Sequence, residues 1–420
     1  MKYTLIHNGT LIDGRGGEPV AGAAMLVGDD HIRAAGRKDE ITLPDEELAE
    51  IDAGGGFILP GFIDTHVHVM LEGVNITSGM TTPFSLRFYQ SVEYMRNTIE
   101  AGVTSVRDAG GADLGLKTAV EQGLADGPRL QISIQTLTIT GGHGDGWMPS
   151  GMEFELFPPY PGMPAGLCDG IEEVRQRTRE VLRAGAEVVK IHATGGVLSP
   201  TDDPRFTQFS PGELDAIVRE ADYRAGVKVM AHAQGAEGIK NAVRAGIHSI
   251  EHGIYIDDEG IELMIERGTF LVPTFLAVAA VLDSPEMSAS IPEYGLRKMR
   301  QVSEVHAENI GRAYRAGVKI AMGTDAGVFP HGMNMRELDL MCQIGMSPME
   351  SIVATTKTAA ECLGWQDRVG TLERGKLADV VISAADPLAD IGSLAEVENI
   401  KLVMQGGRVI KNQLDADERG

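Results

Sequence analysis

Residues 61–69 read GFIDTHVHV, a short apolar run that ends in two histidines, and the organisation of the chain can be followed outward from it. The run has the length and bulk of a buried strand. His66 and His68 are two apart, so on a strand both side chains face the same side. That spacing lets two imidazoles share one metal ion, although alone it suits a pair of packed or surface histidines equally well. The same design recurs downstream: VVKIHATGG (188–196), KVMAHAQG (228–235), SIEHG (249–253) and IAMGTDAG (320–327). They place Lys190, His232, His252 and Asp325 at or near the ends of further apolar runs. Ligand-type residues delivered on separate strand ends point to a barrel with its chemistry at one mouth.

From Gly61 to Leu363, strand-like runs alternate with amphipathic stretches such as SVEYMRNTIEAG (91–102) and PGELDAIVREADYRAG (211–226). Several of these end in Ala-Gly, the glycine expected just past a helix C-terminus. The runs number eight, which predicts an α/β fold, a (β/α)8 TIM barrel over residues 61–363. A doubly wound sheet is the rival, but no GxGxxG follows the first strand. Residues 1–60 carry short β-branched runs with a hairpin turn at Gly28, Asp29 and Asp30. Residues 364–414 return to short strands with a turn at Gly406 and Gly407. Neither end can bury a face alone, so the two are expected to pair into one small β-sandwich; residues 415–420 are expected to fray. The Gly/Pro-rich segment from Ile139 to Cys168 is too long for a simple connector and is expected to lid the mouth.

With 420 residues, 43% of them hydrophobic, the composition is that of an ordinary globular protein. A formal net charge of −23 with no basic cluster excludes nucleic acid and anionic membrane as partners. The N-terminal MKYTLIHNGTLIDG lacks the apolar stretch of a secretory signal, and no apolar run reaches membrane-spanning length. Three scattered cysteines, Cys168, Cys342 and Cys362, supply neither a disulfide framework nor a thiolate site. A soluble, cytoplasmic homo-oligomer acting on a small molecule is expected.

Lys190 carries the most specific signal. An ammonium is rarely left unpaired in a core as apolar as VVKI. Desolvation and nearby cations lower its pKa, and a neutral amine can take up CO2 to form a carbamate, an anionic oxygen ligand able to bridge two metals. A lysine buried against a carboxylate, or snorkelling to the rim, is the alternative. His143, in the Gly-rich GGHGDG after the third strand, could donate to a substrate carbonyl or carboxylate. Arg205, Gln234 and Tyr255 follow strands at the expected mouth, and His331 follows the eighth; all four are candidate substrate contacts. His7, His31, His192, His248 and His306 fit no ligand pattern and read as structural or surface residues. The methionines between Met333 and Met346 read as core packing.

Taken together, PGFIDTHVH, VVKIHATGG, AHAQG, IEHG, MGTDAG and GTLERGKLADVV resemble the amidohydrolase superfamily, in the branch of imidazolonepropionase-like proteins and Xaa-Pro dipeptidases. The resemblance spans nearly the whole chain. It implies two divalent metals, Zn2+ by default: one held by His66, His68 and Asp325, the other by His232 and His252, with carboxylated Lys190 and a hydroxide bridging them. It further implies Asp325 as the proton shuttle and His143 as a helper at the carbonyl. The expected activity is cleavage of the amide bond of dipeptides or N-acyl amino acids with a free C-terminal carboxylate. Hydrolysis of another amide, cyclic amide or lactone, including mycotoxins, is the alternative within enzymes; a non-catalytic scaffold is the alternative outside them. Some prolidase-like relatives carry a tyrosine where this chain has Gln234, a departure that bears on proline specificity.

Overall fold

The structure, a computed structural model, describes residues 2–73 and 75–414. The expected frayed tail lies outside the described residues. Both chain ends build one eight-stranded sheet. Its N-terminal strands are β1 (Tyr3–Leu11), β2 (Val20–Gly28), β3 (His31–Arg37), β4 (Leu48–Asp52) and β5 (Phe57–Pro60). Between β2 and β3 the chain turns at Asp29, whose φ is 55°.

The central strands are parallel: β6 (Phe62–Val67), β7 (Val103–Asp108), β8 (Arg129–Ile132), β9 (Thr136–Leu137), β10 (Val188–His192), β11 (Lys228–Ala233), β12 (Ser249–His252), β13 (Phe270–Val272) and β14 (Lys319–Ile320). They form a three-stranded sheet, β6-β7-β8, and a six-stranded sheet, β14-β13-β12-β11-β10-β9. Hydrogen bonds tie the two at both edges. Thr65 N–H donates to Met322 O (3.0 Å) and His68 N–H to Ala326 O (2.7 Å), while Glu187 N–H donates to Ile132 O (2.8 Å).

The expected third run, LQISIQTL, is broken into β8 and β9. Ile134, between them, sits at φ 68° and its carbonyl accepts from Gly111 N–H instead of a strand neighbour. A β-branched residue in the left-handed region is unusual and locally interrupts the ladder. The expected helices are present, and their caps follow from sequence. Ser210 and Glu213 form a capping box behind Pro211. Ala-Gly pairs end several helices, with Gly102, Gly185, Gly246 and Gly317 all at positive φ.

The C-terminal strands β15 (Val380–Ser383), β16 (Ile400–Gln405) and β17 (Arg408–Asn412) complete the terminal sheet, with β15 antiparallel to β5 in the register Val380 opposite Pro60. This sheet has a core of its own, including Ile6, Met25, Ile58, Val380, Ile382 and Leu402. The main core surrounds the parallel strands and takes in Met335, Met341 and Met346. Among the described residues no helix is long and apolar enough to cross a membrane.

Candidate metal centre

At the C-terminal ends of the parallel strands lies a cavity of ≈ 330 Å³, lined by His66, His68, His143, Lys190, His232, His252 and Asp325. The register explains the convergence. His192 on β10 stands opposite His232 on β11, and Ala233 opposite His252 on β12. A straight strand would send Glu251 and His252 to opposite faces. His252 has φ 73°, and both consecutive side chains reach His66: Glu251 by a hydrogen bond, His252 with ring centroids 5.2 Å apart. Asp325, at φ 63°, is likewise placed by left-handed backbone.

Each imidazole is oriented by a partner at one nitrogen, leaving the other for the cavity. His66 Nδ1 is 2.7 Å from Glu251 Oε2, and His68 Nδ1 is 2.9 Å from Gly110 O. His252 Nδ1 lies 2.7 Å from Thr274 Oγ1, whose own proton goes to Pro273 O. His232 is turned the other way, its Nε2 3.1 Å from Gly195 O. The free donors are therefore Nε2 of His66, His68 and His252, and Nδ1 of His232. His66, His68 and Asp325 can offer ligand atoms all within 4.8 Å of one another. Asp325 Oδ1 is 3.5 Å from His66 Nε2 and 3.3 Å from His68 Nε2. Imidazole nitrogens turned toward the cavity, with a carboxylate between two of them, are the donor set a divalent metal requires.

The charge states agree with that fit except at His68, where burial is outweighed by the hydrogen bond and charge of Asp325, which raise its pKa and favour a proton where a metal ion would stand. Burial pushes His66, His232 and His252 well below the ordinary imidazole range, assisted by Lys190 and by neighbouring rings. Burial works against the Asp325 carboxylate, but His66, His68 and Lys190 outweigh it and hold its carboxyl well below the usual range. Lys190 is 2% exposed, and its Nζ lies 3.3 Å from His66 Nε2. Burial brings its pKa down to about 8 against the pull of Glu251 and Asp325. An amine so placed holds far more of the neutral form near physiological pH than an ordinary lysine does, and the neutral form is the one that takes up CO2.

Behind His66, the buried Glu251 also accepts from Arg107 Nη2 (3.0 Å) and Ser249 Oγ (2.5 Å), and Arg107 Nε donates to Thr65 O. Sequence inspection passed over Glu251 and Arg107, which sit inside strands and become partners only through the fold. His192 was read as structural or surface, yet it lines the cavity, two residues beyond Lys190 on the same strand face. That period-two relation was visible in VVKIH. His192 Nδ1 and Gln234 Oε1 are buried in the cavity wall without a hydrogen-bond partner among the described residues.

Of the expected substrate contacts, the structure brings His143 and Gln234 to the cavity and leaves three outside its lining. Arg205 points to solvent, paired with Asp203 two residues away at 2.8 Å. Tyr255 is half-buried beyond Ile254. His331 is buried behind the site, its ring stacked on Tyr94 and its Nε2 3.0 Å from Leu71 O. The long segment after Ile139 covers one side of the cavity through Trp147, Met148, Phe154, Leu156 and Phe157.

The amidohydrolase family pattern matches residues 57–410, and the chain belongs to that family, an enzyme of the hydrolase class. It is 34% identical over 423 residues to the ochratoxinase of Aspergillus niger, covering 98% of this chain and 87% of that one. The solved structure of a Xaa-Pro dipeptidase with bound methionine superposes with a TM-score of 0.88 at 34% identity, covering 98% of this chain and all of that one. A prolidase complexed with N-methylphosphonate-L-proline gives 0.89 at 34% identity with the same coverage.

Proposed function

We propose that this chain is a binuclear metal-dependent hydrolase that cleaves the amide bond of dipeptides or N-acyl amino acids with a free C-terminal carboxylate. The observation that carries the reading is the meeting of His66 Nε2, His68 Nε2 and Asp325 beside the buried Lys190, whose Nζ lies 3.3 Å from His66 Nε2. His66, His68 and Asp325 would hold one ion, His232 Nδ1 and His252 Nε2 a second, with carboxylated Lys190 between them. Metal bound there supplies Lewis acidity and makes hydroxide available at neutral pH. Zn2+ suits the mixed imidazole and carboxylate set.

The chain's own groups do the rest. Asp325, kept ionised by its neighbours, takes the proton released as water adds to the scissile carbonyl and delivers it to the leaving nitrogen, so carboxylic acid and amine are the products. His143 contacts the polar part of the substrate, and Gln234 and His192 stand in the wall beside it. Among the described residues, Lys190 is the only lysine or arginine lining the cavity, so a substrate carboxylate would meet imidazole and amide groups rather than a guanidinium.

The aromatic wall of Trp147, Phe154 and Phe157 favours a second reading, an N-acylated aromatic amino acid such as an aryl-amide mycotoxin. Metal content per chain, with a panel of Xaa-amino-acid dipeptides and N-acyl amino acids scored for released amine, tests both. Close to two ions with turnover is expected. No metal and no turnover after reconstitution with zinc and bicarbonate would leave a non-catalytic scaffold.

The architecture supports this reading. The edge hydrogen bonds between the two parallel sheets support closure into a (β/α)8 barrel over residues 61–363. The shared apolar core of residues 1–60 and 364–414 supports a terminal sheet folded over as a small sandwich. The exposed Met80, Phe84, Leu86 and Tyr89 support self-association, and three free cysteines suit a reducing cytoplasm.

A further inference from the structure

His143 is held at its ring, its Nδ1 and its backbone. One face of its ring stacks on His232, with centroids 4.4 Å apart and planes 23° from parallel. Gly196 also lies against the ring, where a Cβ would fall 2.2 Å from it. Its backbone N–H donates to Gln208 Oε1 (3.2 Å). Its Nδ1 lies 2.8 Å from Ser199 Oγ.

The Ser199 hydroxyl has one proton, and that proton is committed to the Asp202 carboxylate. A hydroxyl that donates there can only accept from the ring. The proton of the neutral imidazole therefore sits on Nδ1, and Nε2, which has no partner among the described residues, is the nitrogen left for the cavity. Asp202 is itself fixed. It accepts from Gly196 N–H (3.2 Å), Gln208 Nε2 (3.3 Å) and Lys298 Nζ (3.3 Å). Lys298, on the helix Glu293–Ala316, also donates to the carbonyls of Gly196 (3.0 Å) and Ser199 (2.8 Å). The side chains of Asp202 and Lys298 are 3% and 8% exposed. A buried charge pair is costly unless its geometry is well satisfied; here the pair fixes the one hydroxyl that holds His143.

We propose that Ser199, backed by Asp202 and Lys298, is a positioning residue that locks His143 in its Nδ1–H tautomer and presents Nε2 to the substrate. This rests on the reading of His143 as a substrate contact. Ser199 also lines the cavity, but its hydroxyl is committed between Asp202 and His143, so it acts through His143.

The test uses zinc-loaded full-length protein, the best substrate of the panel above, and the variants His143→Ala, Ser199→Ala, Ser199→Thr and the Ser199→Ala/His143→Ala double. Ser199→Ala should lower kcat/KM by about 10–100-fold with metal content unchanged. Ser199→Thr, which keeps the hydroxyl, should recover most of it. In the His143→Ala background, Ser199→Ala should add nothing, because both changes remove one interaction. Nitrogen-15 NMR of the ring at alkaline pH, where imidazole is neutral, should show a single Nδ1–H tautomer at His143 and a mixture in Ser199→Ala.

Losses that multiply in the double variant, or an unchanged tautomer signal in Ser199→Ala, would overturn the proposal. His143→Ala with full turnover would instead remove the substrate-contact reading, while the NMR signal still decides whether the relay exists.

Discussion

Replacing Glu251 with Gln should strip metal from a site that Glu251 never touches. The two oxygens of Glu251 face different donors. Oε1 accepts from Arg107 Nη2 and Ser249 Oγ, while Oε2 accepts from His66 Nδ1 at 2.7 Å. An amide keeps its oxygen where two donors converge, so its NH2 is forced toward His66. His66 then either meets donor with donor or moves its proton to Nε2, the nitrogen 3.5 Å from Asp325 Oδ1 that the metal needs. Loss of such an outer partner typically costs about 10–100-fold in metal affinity, or ~1.4–2.8 kcal/mol. Arg107, 1% exposed, also loses its charged partner, which should lower stability by on the order of 3 kcal/mol. Chelator competition measures the first effect and thermal unfolding of the metal-free protein the second. A variant that competes with chelator as well as the wild type would refute the argument that His66 is held through Nδ1.

Lys190→Ala should lose bound metal and turnover together, by about 10³-fold in rate; a fully metallated, active variant would refute the carbamate. Asp325→Asn should keep its fold and lose roughly 10³-fold or more in kcat; near-normal turnover would sink the proton-shuttle role. The metal-free protein should be most stable near pH 6.5 within the range from about 4 to 8. His248, His306 and His331 are pushed down to about 4, chiefly by burial, so they stay neutral while the unfolded chain binds protons, and stability falls from about pH 6.5 toward 4. Asp64 and Glu337 are pushed up by burial to about 6 and about 8; their contribution is complete below the unfolded carboxylate range and lost as pH rises through those values. Melting temperatures that climb steadily to pH 8 would contradict this balance.

Much of the site was legible because its chemistry is strand-borne. Two histidines at a spacing of two, a lysine inside VVKI, and histidines ending KVMAH and SIEH declare themselves through period-two geometry. His192 obeys the same rule and was passed over only because no ligand pattern claimed it. What sequence did not reveal depends on loops and on unusual backbone. Arg205 follows a strand but is captured by Asp203, a local pairing that outcompetes a distant cavity. Ser199 meets His143 only because two loops converge. The break at Ile134 hides in a run that looks like an uninterrupted strand, since nothing in ISIQ advertises a left-handed isoleucine.

The terminal sheet has a consequence for how the molecule is made. Strand β5 is paired with β15, and only Gly61, whose N–H donates to Asp379 O, separates it from β6, which carries His66 and leads directly into His68. On the ribosome, the first histidines emerge long before the segment that anchors them, and synthesis proceeds at about 5–20 residues per second. The nascent chain therefore carries an unpaired strand edge for tens of seconds, a period in which chaperone capture competes with aggregation. A premature stop between Asp325 and β15 therefore yields a chain that has every candidate metal ligand but lacks the strand that pairs with β5, just ahead of the first two.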